Sequence, residues 1–251
     1  MPRGYSNNII CDSSSLISIV DTGMISLLYM LKEKLNGQFL ITDGIRDEIV
    51  SRPIQSKKYS LGAVTLQKAI NDGVLVVLET EFLKKTAQEI MDLANNTFTL
   101  NGRPLSLVHM GEAEILSLMV ETNSKMLLID EKTTRLFIES PEKLHSHLLT
   151  QYQGDLKINR TKLVDFKSMF QDAKILRSVE LLGIGYMYGY FKQYGPLEKE
   201  ALKAATYAVK FAGCGVSFEE IEEFLRKDLP SYEKNENKSG LQQIEFKEDK
   251  T

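Results

Sequence analysis

The sequence predicts an α/β protein built on a parallel sheet with helices on both faces. Three observations carry this reading. Short apolar runs of strand length, at 9–11, 39–41, 74–78 and 126–129, are separated by segments whose apolar residues recur at helical spacing. Strands that alternate with helices in this way pair in parallel. Two of the runs end in a carboxylate, Asp12 and Asp130, at the sheet edge where open α/β folds bind ligands.

The elements follow in order. After Asp12, a short helix carries Leu16, Ile17, Ile19 and Val20 and breaks at Asp21-Thr22-Gly23. A second spans 24–35, with Met24, Leu27, Leu28 and Leu31 on one face, and stops at Asn36-Gly37. Past the 39–41 strand, Thr42 or Asp43 caps a helix bearing Ile45, Ile49 and Val50, which Pro53 ends. Helices are expected at 60–71, 81–94 and 109–121. Asn101-Gly102 between two short apolar runs is a hairpin signal that Pro104 weakens, so a projecting loop is expected there. Beyond Ser140-Pro141 the texture turns helical, at 142–151, 161–170, 174–192, 197–211 and 217–226. Leu156 to Ile158 reads as a brief edge strand, and Ser217 with Glu220 as a capping box. The expected organisation is a core over 1–140, or alternatively to about 160, a helical region over 141–230, and a polar, disordered tail over 231–251.

Composition excludes several classes. The chain has 251 residues, of which 43% are hydrophobic, enough for one elaborated domain or two small ones. It holds no apolar run long enough for a transmembrane helix and no signal-peptide core near Met1, so a cytoplasmic protein without a membrane partner is expected. Two distant cysteines, Cys11 and Cys214, make neither a disulfide framework nor a zinc motif. A net charge of −3 is not that of a passive nucleic-acid binder, although bound cations and local basic patches permit a nucleic-acid enzyme.

The acids fall into one pattern. Asp12 and Asp130 end strands; Glu48 lies on the helix after the second strand; Glu112 opens the helix in Gly111-Glu112-Ala113-Glu114. Carboxylates gathered at one edge repel one another unless a cation holds them, and Mg²⁺ or Mn²⁺ takes such oxygen ligands. The chemistry indicated is metal-assisted phosphodiester hydrolysis. Each acid also has a structural alternative: Asp12 and Asp130 as helix caps, Glu48 as a solvated residue, Glu112 and Glu114 as first-turn acids that complement the helix dipole.

These residues carry a family resemblance. Asp12-Ser13-Ser14-Ser15-Leu16-Ile17, Thr42 with Asp47-Glu48-Ile49-Val50, Gly111-Glu112-Ala113-Glu114, and Leu127-Leu128-Ile129-Asp130-Glu131-Lys132-Thr133-Thr134-Arg135 resemble, in order, the four motifs of the PIN-like ribonuclease superfamily. The resemblance covers roughly residues 7–138 and points to a prokaryotic member with a C-terminal helical extension. It implies a three-layer α/β/α sandwich of four or five parallel strands and a Mg²⁺- or Mn²⁺-dependent endoribonuclease. Asp12, Glu48, Glu112 and Asp130 are then both the catalytic set and the metal ligands, Asp12 and Asp130 the firmest of them, with Ser14 at the small polar position as a substrate-binding residue. Glu114 and Glu131 rank as spares. Members of the family commonly have a fifth strand soon after the fourth motif, whereas here a helical stretch precedes the candidate Leu156 to Ile158.

Arg103 on the projecting loop and Arg135 after the fourth strand are the best-placed substrate-binding cations, with Lys57, Lys58, Lys84, Lys85 and Lys132 as further positions on an RNA path. His109 reads as structural, and His145 with His147 lacks acidic partners. The Tyr186, Tyr190, Tyr194 stripe reads as core or a homodimer contact, and Gly183 and Gly185 as marks of close helix packing. Two other functions stay open: an RNA- or protein-binding module without turnover, and a toxin ribonuclease held by an antitoxin.

Overall fold

The computed structural model describes residues 7–227. The tail expected at 231–251 lies outside them. Five strands, β1 (Ile9–Cys11), β2 (Phe39–Ile41), β3 (Leu75–Val77), β6 (Met126–Leu128) and β8 (Lys174–Leu176), form one wholly parallel sheet in the order β3-β2-β1-β6-β8. The three inner strands are buried along their length, as a sheet covered on both faces requires. Helices flank the sheet in two mutually packed groups and give the three-layer α/β/α sandwich. One group holds α1 (Ser13–Asp21), α2 (Ile25–Leu35), α4 (Ser60–Asn71), α10 (Ser178–Met187) and α11 (Glu198–Ala212); the other holds α5 (Leu83–Asn95), α6 (Met110–Thr122) and α9 (Arg160–Met169).

The strand order places the functional edge. The chain runs from β1 outward through β2 to β3, then returns to lay β6 on the other side of β1. A crevice opens at the carboxyl ends of strands where the order reverses in this way. Asp12 leaves β1 and Asp130 follows β6, so both acids flank that switch point.

Three expectations need correction. The fifth strand of the main sheet is Lys174–Leu176, inside a span read as helical, with α10 starting only at Ser178. Leu156–Ile158 is a strand, β7, but it pairs antiparallel with β4 (Phe98–Leu100) in a separate three-stranded sheet. The projecting loop is a true hairpin: β5 (Arg103–Pro104) pairs with β4, and Asn101 and Gly102 both take positive φ, 50° and 78°, as a tight primed turn needs. The small sheet is anchored by aromatic packing: Phe98 meets Phe137 edge-on, and Phe137 stacks on Phe166 with centroids 4.2 Å apart.

The helices expected at 161–170, 197–211 and 217–226 fall at α9, α11 and α12 (Phe218–Lys227), whereas the 174–192 span divides into β8, α10 and a 3-10 segment that begins at Tyr190. In α12 the Ser217 and Glu220 box closes both ways: Ser217 N donates to Glu220 at 2.7 Å, and Glu220 N donates to Ser217 Oγ at 3.0 Å. Gly183 and Gly185 do mark close packing, since a Cβ would strike Phe224 at the first and Leu27 at the second. Tyr190 and Phe191 belong to the core, while Tyr194 is exposed. Cys11 and Cys214 are buried free thiols. No single helix among the described residues is long and apolar enough to cross a membrane.

Candidate active site

Asp12 ends β1 and caps α1. Its Oδ2 accepts from Ser14 N at 3.1 Å and also from Ser14 Oγ. The side chain is 6% exposed. Burial, with the nearby Glu112 charge adding to it, pushes its carboxyl up to about 6 against the opposing Ser14 bonds. Cap and candidate ligand therefore coexist in one residue, because the cap occupies a single oxygen.

Glu112 sits in the first turn of α6. Its Oε2 accepts from His109 N at 2.9 Å, closing the helix N-terminus. His109 serves there through its backbone, in keeping with a structural role. The turn entering α6 is fixed by Asn95, whose Oδ1 accepts from Leu107 N and Val108 N and whose Nδ2 donates to Val108 O. Glu48 is exposed on a π-helical segment, Asp47–Ser51, an irregularity that recurs at functional sites. Its Oε1 lies 3.6 Å from where a Cβ on Gly111 would stand, which brings the second and third motifs together.

Glu114 also reaches the cleft, although spacing had ranked it as a spare. Its Oε2 accepts from Thr42 Oγ1 at 3.3 Å. A Cβ on Gly44 would stand 2.5 Å from the same oxygen, so the glycine makes room for the carboxylate. Burial pushes its carboxyl up; Asp43 and Glu48 add to this, while Thr42 and Lys84 oppose it. No sequence signal singled out Gly44.

Asp130 differs from the others. It is 1% exposed, and both of its oxygens face α10: Oδ1 accepts from Ser178 N at 2.8 Å and Oδ2 from Ser178 Oγ at 2.7 Å. Glu131 caps α7 (Lys132–Glu139), accepting from Thr133 N and Thr134 N. Arg135, expected to face RNA, is 11% exposed and is committed to Glu139 at 3.0 Å and to Gly215 O at 3.4 Å. Arg103 is exposed on the hairpin, as are Lys57, Lys58, Lys84, Lys85 and Lys132.

A family model described as PIN domain matches residues 8–141, just over half of the chain. The chain belongs to the PIN-domain family. No curated protein and no solved structure matches it. PIN domains are generally nucleases and typically use divalent metals. The matched span carries all four motif acids, but the PIN sheet here is completed by β8, from beyond the span.

The donor chemistry of the edge suits a hard divalent cation. Asp12 and Glu112 offer carboxylate oxygens, and the Asp12 carboxyl, raised first by burial and further by the Glu112 charge, is one whose ionised form a cation would favour. Among the described residues no three His, Cys, Asp or Glu side chains converge on one point. Mg²⁺ does not need three, because it keeps several waters and is commonly held by one or two carboxylates.

Proposed function

We propose that this PIN-domain chain is a divalent-metal-dependent endoribonuclease that hydrolyses RNA phosphodiester bonds at the carboxyl edge of its main sheet. The observation that carries the reading is the buried Asp12 at the switch point, with the Glu112 carboxylate near enough for its charge to act on it. Mg²⁺ or Mn²⁺ bound there supplies Lewis acidity toward a phosphodiester and toward water. Asp12 and Glu112 hold the cation. Ser14 fixes the orientation of Asp12 from behind. Glu48 and Glu114 keep the rim acidic and can accept a proton from an attacking water. The exposed Lys84, Lys132 and Arg103 offer charge to the RNA backbone.

The test is turnover of single-stranded and structured RNA in excess over enzyme, with Mn²⁺ and with chelator, for the parent and for Asp12→Asn. The reading expects many turnovers with Mn²⁺ and loss of at least about a hundredfold in the variant, the scale on which a metal-site carboxylate acts. Equal rates for the two would remove the site. The second reading, binding without turnover, is favoured by the absence of three converging acids among the described residues. RNA binding with no product in excess substrate would select it.

A further inference from the structure

We propose that Asp130 is a clasp rather than a cation ligand, fastening the C-terminal helices α10 to α12 onto the carboxyl edge of the main sheet. A helix leaves its first N–H groups unpaired, and a side-chain acceptor at the N-cap normally satisfies one of them. The N-cap of α10 is Arg177, whose guanidinium has no acceptor. That side chain pairs instead with Glu180 at 2.5 Å and Glu220 at 2.8 Å. The missing acceptor comes from 48 residues away: Asp130 takes both the N–H and the hydroxyl of Ser178, the first helical residue. Its negative charge also suits the positive end of the helix dipole.

The same residue holds the turn before α12. Asp130 O accepts from Gly215 N at 3.2 Å. A Cβ at position 215 would stand 2.6 Å from that oxygen, so only glycine lets the turn approach this closely. The buried thiol of Cys214 lies near the Asp130 carboxylate, whose charge adds to burial in pushing it up, and Arg135 and Arg177 each donate to Gly215 O at 3.4 Å. Asp130 is thus enclosed by the C-terminal helices, whereas Asp12 bonds within its own helix and stands next to Glu112. The contrast rests on the proposed cation site; the clasp itself does not.

The experiment uses the full chain, with Mn²⁺ binding read by the loss of free-ion EPR signal and helix protection read by hydrogen exchange. Losing a ligand, or a group that orients one, costs at least about tenfold in cation affinity. Asp12→Asn should pay that. Asp130→Asn should bind Mn²⁺ within about threefold of the parent, well inside that loss. Asp130→Ala and Ser178→Ala should speed exchange in the first turn of α10 and at 213–217. Asp130→Asn should not, because its side-chain oxygen still accepts from Ser178 N and its amide can donate to Ser178 Oγ, a pair of contacts of which Ser178→Ala keeps only the first. The clasp is overturned if Asp130→Asn weakens Mn²⁺ as Asp12→Asn does, or if Ser178→Ala leaves both segments fully protected. Should Asp130→Ala fail to fold, Asp130→Asn and Ser178→Ala still decide. If the parent binds no Mn²⁺, the proposed function fails and the exchange data alone decide the clasp.

Discussion

Replacing Asp12 by asparagine should stabilise the cation-free protein at neutral pH. In the folded chain the Asp12 carboxyl titrates at about 6 instead of its ordinary 3.8, because burial and the Glu112 charge disfavour the ionised form. Between those two values the folded state keeps a proton that the unfolded state has lost. Stability from this group is therefore full below 3.8 and declines as pH rises through 6. Each pH unit in that window is worth about 1.4 kcal/mol, so the charged residue costs roughly 3 kcal/mol above it. Asparagine removes the charge and remains a favoured N-cap. In chelator at pH 7.5 the variant should melt about 6–12 °C above the parent, by the usual slope for a chain of this size. The difference should vanish near pH 4. Added Mg²⁺ should raise the parent's melting temperature and leave the variant's alone. Calorimetry across pH 4 to 8 reads all of this. A variant less stable than the parent at pH 7.5, or an offset that does not change with pH, would refute the reasoning.

Three further outcomes follow from the same geometry. Ser14→Ala removes the hydroxyl bond that helps hold the Asp12 carboxyl down and leaves the backbone one, so the rise of RNA cleavage with pH at subsaturating Mn²⁺ should shift upward; an unmoved pH–rate profile would show that the Ser14 hydroxyl does not act on the acid. Gly44→Ala should displace the Glu114 carboxylate, a flexible chain end, costing under about 1 kcal/mol of stability but at least about tenfold in kcat/KM. An unchanged kcat/KM would take Glu114 out of the site. Gly215→Ala drives a methyl against the backbone oxygen of Asp130 and should cost roughly 1–3 kcal/mol in thermal unfolding, the range for overpacking a rigid site.

Much of the fold was legible because its cues are local. The 60–71 helix falls at Ser60–Asn71, ended by the Asn-Asp-Gly stop, and the Ser217 and Glu220 box lies three residues apart. The buried β1, β2 and β6 stood out as apolar runs bounded by polar residues. β8 did not, because three residues of an edge strand with Lys174 exposed and Ile175 half-buried merge into the apolar run of α10. β7 was recognised as a strand, but nothing local told which sheet it would join, since its partner β4 lies more than fifty residues earlier.

The site divides in the same way. The four motif acids could be placed at one edge from the order of the strands alone. How each carboxylate is used depends on residues far away in the chain: Ser178 for Asp130, Thr42 and Gly44 for Glu114. Arg135 looked like a surface cation because its partner Gly215, eighty residues on, is invisible to any local pattern. The family model ends before β8 and Ser178, so the match by itself does not reveal that this PIN sheet and its Asp130 depend on the C-terminal helices.

The central claim is that Asp12 and Glu112 hold a divalent cation at the switch point between β1 and β6. Anomalous diffraction from a crystal soaked in Mn²⁺ tests it most directly. The account predicts a Mn²⁺ peak bonded to Asp12 and within reach of Glu112, and no such peak in Asp12→Asn. A cleft without Mn²⁺, or an ion held elsewhere with Asp12 unbonded to it, would contradict it.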